Sequence, residues 1–215
     1  MNCITKRTRS ALLAASLLLS LLTVPASAAG SVLDGYTDLD PNDWYAESVE
    51  YVLSNGLMTG IGPNTFAPND TLTRAMVAQI LWAMAGNQNV GEFYYGDTDY
   101  DTWYSDAVSW VSIKGLMTGY DEGRFGPNLP VTREQMALSL YNYAKMYRYD
   151  TRAKGDISAF SDGSSVSYWA EEAMTWAVGA GLISGRQGNL LCPTGTATRA
   201  EIAQMFMRFQ QTIKN

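Results

Sequence analysis

Beyond residue 30, apolar side chains recur at helical spacing in six stretches that fall into pairs. The first member of each pair carries a small or apolar stripe: Ser48/Val49/Val52, Ala107/Val108/Val111 and Ala173/Met174/Ala177. The second carries Val77/Ala78/Leu81/Met84, Met136/Ala137/Leu140/Tyr143 and Ile202/Ala203/Phe206/Phe209. Residues three and four apart share one face of an α-helix, so each stripe predicts an amphipathic helix with that face turned inward. Asn42, Asp101 and Ser167 stand where a side chain caps a first turn, which predicts that the leading helices start there. Each leading helix is expected to stop at Gly-Leu (Gly56-Leu57, Gly115-Leu116, Gly181-Leu182), because glycine takes the left-handed conformation that ends a helix. The trailing helices open at Thr73, Thr132 and Thr198. Thr198-Arg199-Ala200-Glu201 has capping-box spacing, Thr132-Arg133-Glu134-Gln135 keeps it with glutamine, and Met76 loses the reciprocal half in the first pair.

The pairs are copies of one another. Trp44, Trp103 and Trp169 are each followed after 12 residues by Gly, after 16 by a second Gly (Gly60, Gly119, Gly185) and after 24 by Pro (Pro68, Pro127, Pro193). Thr-Arg follows after 29 and 30 residues, without a gap in any copy. An aromatic-x-Asp precedes each Trp: Tyr36-Thr37-Asp38, Tyr95-Gly96-Asp97 and Phe160-Ser161-Asp162. Three homologous units are therefore expected, at residues 33–92, 93–155 and 156–215, with the polar stretch around 146–158 as the longest linker. Phe66, Phe125 and Leu191, two residues before the loop prolines, are expected to plug each loop onto the core. One helix pair cannot bury two stripes alone, so the units must pack on each other, and the fold class is all-α.

The start of the chain reads differently. Lys6, Arg7 and Arg9 precede an apolar run from Ala11 to Val24, and Ala26 and Ala28 supply the small residues of a secretory cleavage site. Residues 1–28 are expected to be a signal peptide and the remainder to be exported. The run of 14 residues is short of the roughly 20 that a spanning helix needs, so no membrane span is expected after cleavage. The 215 residues carry 15 Lys+Arg against 21 Asp+Glu, a net charge of −6 that becomes −9 without the leader. That balance argues against nucleic acid as a partner. Histidine is absent from the sequence, which excludes Ser/His/Asp and Cys/His catalysis and imidazole zinc sites. Cys192 is the one cysteine beyond the leader; it has no intrachain partner and is expected as a small buried apolar residue.

The series aromatic-x-Asp, Trp-Tyr, Gly-Leu-x-x-Gly, Phe-x-Pro and Thr-Arg-Ala-Glu, recurring in order over roughly residues 33–212, resembles the S-layer homology domain. The resemblance implies three tandem domains in an all-helical, pseudo-threefold bundle at the bacterial cell surface, with no catalytic role and no cofactor. It implies non-covalent attachment to the cell wall through secondary cell-wall polysaccharide, commonly pyruvylated, bound in grooves between the repeats. Peptidoglycan is the ligand in some relatives. A protein partner, as for an S-layer or adaptor component, is the other reading.

The residues carry chemistry of their own. Arg74, Arg133 and Arg199 fall in the first turn of a helix, at the positive end of its dipole, where a cation is unfavourable unless an anion is near. A guanidinium beside unpaired first-turn amides makes a carboxylate site, and a pyruvate ketal is a carboxylate. Two readings stand: ligand contact, which the resemblance implies for these three positions, and pairing of each Arg with its own unit's Asp38, Asp97 or Asp162. Trp44, Trp103 and Trp169 either stack on sugar or anchor the core; the core is favoured, with Tyr45 and Tyr104 the better candidates for a groove wall. The motif Glu persists as Glu201, with Gln135 and Met76 in the other units. These arginines, aspartates and tryptophans and Glu201 are the candidate ligand-binding residues. Asp97 to Asp101 open like a calcium loop, but Thr102 and Val108 stand where Gly and Glu are needed, so no metal is expected. No pair of acids is singled out for glycoside hydrolysis, and no enzyme is expected.

Overall fold

A computed structural model describes residues 30–120 and 123–214; the expected signal peptide lies outside them. Among the described residues there are six α-helices and no strand. They are α1 Ala46–Ser54, α2 Arg74–Met84, α3 Ser105–Ile113, α4 Arg133–Met146, α5 Glu171–Gly179 and α6 Arg199–Arg208. None of these helices is long and apolar enough to cross a membrane.

The trailing helices start where the sequence places them. Thr73, Thr132 and Thr198 accept from the N3 amides, and the capping box is complete in α4 and α6. The leading helices stop at Gly56, Gly115 and Gly181, with φ of 64°, 69° and 71°, the left-handed ending that glycine adopts without a Cβ clash. They start later than expected. Asn42 gives its N–H and its amide to Asp40, Asp101 is itself left-handed at φ 58°, and Ser167 gives its N–H and hydroxyl to Glu134. None of the three caps an α-helix, although Ser167 stands at the start of a single 3-10 turn, Tyr168–Ala170, that leads into α5 without a side-chain cap. A tight turn carries each Trp instead, closed by Ala46 N–H to Asp43, Ser105 N–H to Thr102 and Ala170 N–H to Ser167.

The helices do not pair as hairpins within units. α2 packs on α3, α4 on α5, and α6 on α1. Each trailing helix thus takes the leading helix of the following unit as its main neighbour, and the third unit returns to the first, closing a ring. The backbone follows the same rule. The first two amides of α2 donate to Leu129 and Pro127, those of α4 to Gly195 and Pro193, and those of α6 to Asp70 and Pro68. Short bridges Thr73↔Pro130, Thr132↔Thr196 and Thr71↔Thr198 sew the same three seams.

The core is continuous across the seams. Trp110, Trp176, Tyr143, Phe206 and Phe209 are fully buried, and so are the loop plugs Phe66, Phe125 and Leu191. The 146–158 stretch is a packed strap. Gly155 donates to Thr175 at 2.8 Å, and a Cβ on either Gly155 or Gly179 would stand 2.5 Å from backbone of the other, so both positions require glycine for close approach.

Candidate functional site

The repeated aspartates do not pair with the arginines. Both carboxylate oxygens of each accept from two successive loop amides: Asp38 from Phe66 and Ala67, Asp97 from Phe125 and Gly126, Asp162 from Leu191 and Cys192, all at 2.6–2.9 Å. The Leu191 and Cys192 bonds hold the Asp162 carboxyl below its ordinary range, the Leu191 bond most strongly. The pinned turn is left-handed at its second residue, with φ of 58° at Ala67, 70° at Gly126 and 49° at Cys192. Cys192 is half-buried in this turn, so a backbone constraint sets its position, not the core packing expected of it.

The carbonyls of each pinned loop receive the arginine of the preceding unit. Arg74 Nε donates to Phe125 at 2.8 Å and Nη2 to Thr118 at 2.6 Å. Arg133 repeats this with Leu191 at 2.9 Å and Ser184 at 2.6 Å. Arg199 completes the circle with Phe66 and Thr59, both at 2.6 Å. The three side chains are 3–5% exposed, and burial lowers each below the usual arginine range; guanidinium stays charged in proteins nonetheless. The premise of unpaired first-turn amides is overturned, since the neighbouring loop already satisfies them. Each arginine is a clasp between units whose outer edge lies in a groove.

The tryptophans and tyrosines exchange their expected places. Trp44 and Trp103 are 59% exposed and Trp169 51%, whereas Tyr45 and Tyr104 are 7% exposed. The turn before each leading helix aims the residue after Trp inward. Tyr45 donates to Asp43 at 2.6 Å, and burial, then that bond, push its phenol up to about 12.

Three grooves result, each drawn from all three units. One, of about 530 Å³, has Arg199 at its floor, the Leu57–Ile61 turn and α2 as walls, and Trp103 at its rim. The second, about 480 Å³, sets Arg74 between the Leu116–Tyr120 turn, α4 and Trp169. The third, about 340 Å³, sets Arg133 between the Leu182–Gln187 turn, α6 and Trp44. A buried guanidinium under an exposed indole offers a charged donor and an apolar face to one ligand.

The grooves differ at two corresponding positions. Ile61 and Met76 line the Arg199 groove. In the Arg74 groove, Gln135 donates to the Tyr120 hydroxyl at 3.0 Å, and the Arg74 guanidinium lies 4.7 Å from the Tyr120 ring centroid. In the Arg133 groove, Arg186 forms a two-pronged pair with Glu201 at 2.6 and 2.7 Å, and Glu201 also accepts from Arg133 at 3.0 Å. Burial raises the Glu201 carboxyl, but Arg186, the Thr198 amide and Arg133 outweigh it and leave the group below its ordinary value. Tyr120 and Arg186 were not among the residues expected from sequence. Both immediately follow the second conserved-spacing glycine, and the repeat register alone would have marked that position as variable.

This architecture defines a class: a helical ring of three units whose candidate sites lie between them. The S-layer homology domain profile matches residues 35–76, 95–137 and 159–203. The chain belongs to the S-layer homology domain family. It is a secreted, cell-surface protein attached to the cell wall. A surface-layer 125 kDa protein of Lysinibacillus sphaericus is 29% identical over 94% of the chain and 16% of its own length. An amylopullulanase of Thermoanaerobacterium thermosulfurigenes is 30% identical over 78% of the chain and 9% of its own. An S-layer protein of Bacillus thuringiensis subsp. finitimus is 29% identical over 86% of the chain and 22% of its own. The chain thus spans between 9% and 22% of the length of these relatives.

Proposed function

We propose that this chain is a non-catalytic anchor that holds to the cell wall by binding an acidic secondary wall polysaccharide, of the pyruvylated type, in the grooves between units. The observation that carries this reading is the coupling of a buried arginine with an exposed tryptophan in each groove. A carboxylate-bearing sugar presents the two complementary features, an anion for a guanidinium and an apolar ring face for an indole. The case is strongest at Arg199 and Arg74, since no carboxylate lines either groove among the described residues. An acidic chain can bind an acidic polymer because the contact is local and short-ranged in physiological salt. Asp38, Asp97 and Asp162 serve by fixing the loops whose carbonyls orient the arginines.

The test is co-sedimentation of residues 29–215 with protein-free cell walls, before and after chemical removal of the wall-linked polysaccharide. Binding that disappears with the polymer, and falls in Trp103→Ala and Trp169→Ala, is the expected result. Binding that survives stripping makes peptidoglycan the ligand. No binding in either case assigns the grooves to a protein partner and overturns the proposal.

A further inference from the structure

The three grooves share a plan but not a charge state. In the Arg133 groove every donor nitrogen of Arg133 is engaged: Nε on Leu191, Nη2 on Ser184 and Nη1 on Glu201. Glu201 is itself held from both sides. Its Oε1 takes Arg133 Nη1 and Arg186 Nε, and its Oε2 takes Arg186 Nη2 and the Thr198 amide. The Glu201 side chain is 14% exposed. A carboxylate of the protein thus already sits where a ligand carboxylate would reach the guanidinium, and a tethered group outcompetes a free one by its effective concentration.

Among the described residues the other grooves hold no such plug. Met76 and Ile61 replace Glu201 and Arg186 in the Arg199 groove, and Arg199 Nη1 has no hydrogen-bond partner among the described residues. Gln135 and Tyr120 replace them in the Arg74 groove, a neutral pair that keeps the hydrogen bond without the charge. Groove volume falls in the same order, from about 530 to 480 to 340 Å³. Arg208 is the remaining cation at the Arg133 groove; it is half-buried and donates to the Gly181 carbonyl.

We propose that Glu201, clamped by Arg133 and Arg186, closes the Arg133 groove to anions, so that the acidic sugar is taken by the Arg199 and Arg74 grooves alone. Glu201 and Arg186 are then the residues that set specificity among the grooves. This rests on the glycan reading above.

Each groove holds one exposed indole, so the N–H resonances of Trp103, Trp169 and Trp44 report the three separately, while buried Trp110 and Trp176 report the fold. The probe is methyl 4,6-O-(1-carboxyethylidene)-D-glucopyranoside, a monosaccharide pyruvate ketal, titrated into residues 29–215. Expected is movement of Trp103 and Trp169 with Trp44 still. In Glu201→Gln, which copies Gln135 and keeps the cap acceptor, Trp44 moves as well. If that variant loses the Trp110 and Trp176 signals, the double variant Arg186→Tyr/Glu201→Gln, which installs the Arg74 groove's pair, must show the same gain. Movement of Trp44 in the unaltered protein, or its stillness in the folded variants while the other two shift, overturns the inference and leaves the glycan reading standing. No indole moving in any of these proteins overturns both.

Discussion

Ala67, Gly126 and Cys192 occupy one structural position with one backbone conformation, and only one of them is the residue that conformation favours. A Cβ in the left-handed region costs about 1–2 kcal/mol, offset in part by the chain entropy of glycine. Ala67→Gly is therefore expected to raise the unfolding free energy by about 0.5–1 kcal/mol, read from the urea midpoint. Gly126→Ala should lower it further than that, because the new Cβ would stand 2.8 Å from the Leu129 side chain. The pinning aspartate gives a pH signature. The folded Asp162 carboxyl titrates below its unfolded value, so its contribution is present above the unfolded pKa and is lost as pH falls through the folded one. Asp162→Asn should flatten the acid limb of stability against pH and change the neutral-to-alkaline limb little in shape. The roles of these residues were only half visible in sequence. The spacing exposed aspartate, arginine and tryptophan as a set, but the partners that all three arginines share are backbone carbonyls 44 to 140 residues away, and a carbonyl leaves no mark on side-chain identity.

At the scale of elements, the inward stripes and the trailing-helix starts were legible because periodicity and capping are local. The leading-helix starts were not. Asn42, Asp101 and Ser167 are all good caps in isolation, yet Asn42 and Ser167 are engaged by turn and tertiary contacts and Asp101 is left-handed, and the three-residue delay of the cap turns Trp outward and the residue after it inward. One of those contacts belongs to this chain's second unit alone. Glu134 is 3% exposed, and its carboxylate holds the Ser167 amide and hydroxyl at 3.0 and 2.8 Å; Ala75 and Ala200 stand at the corresponding places. Glu134→Ala leaves the Ser167 amide unpaired, which costs about 1–3 kcal/mol. It should also shift the indole signal of Trp169, two residues on, with Trp103 unchanged.

For the molecule as a whole, sequence announced three units and their need to pack, but not the order of packing. Stripes say which face is buried and are silent about what covers it. The answer, a trailing helix on the next unit's leading helix, makes every unit incomplete. A chain ending at residue 155 would leave α4 without α5, α1 without α6 and the Phe66 loop without Arg199. It is expected to show no cooperative thermal transition by circular dichroism, where residues 29–215 show one.

Because α6 returns to α1, the seam between the third and first units is built like the other two and differs in having no peptide bond across it. Position along the chain and position in the structure are thereby separable. Cutting the exposed 86–89 segment and joining the third unit to the first through a flexible linker gives a circularly permuted protein that begins with the second unit and threads the same contacts. Synthesis has a first unit; the folded ring does not.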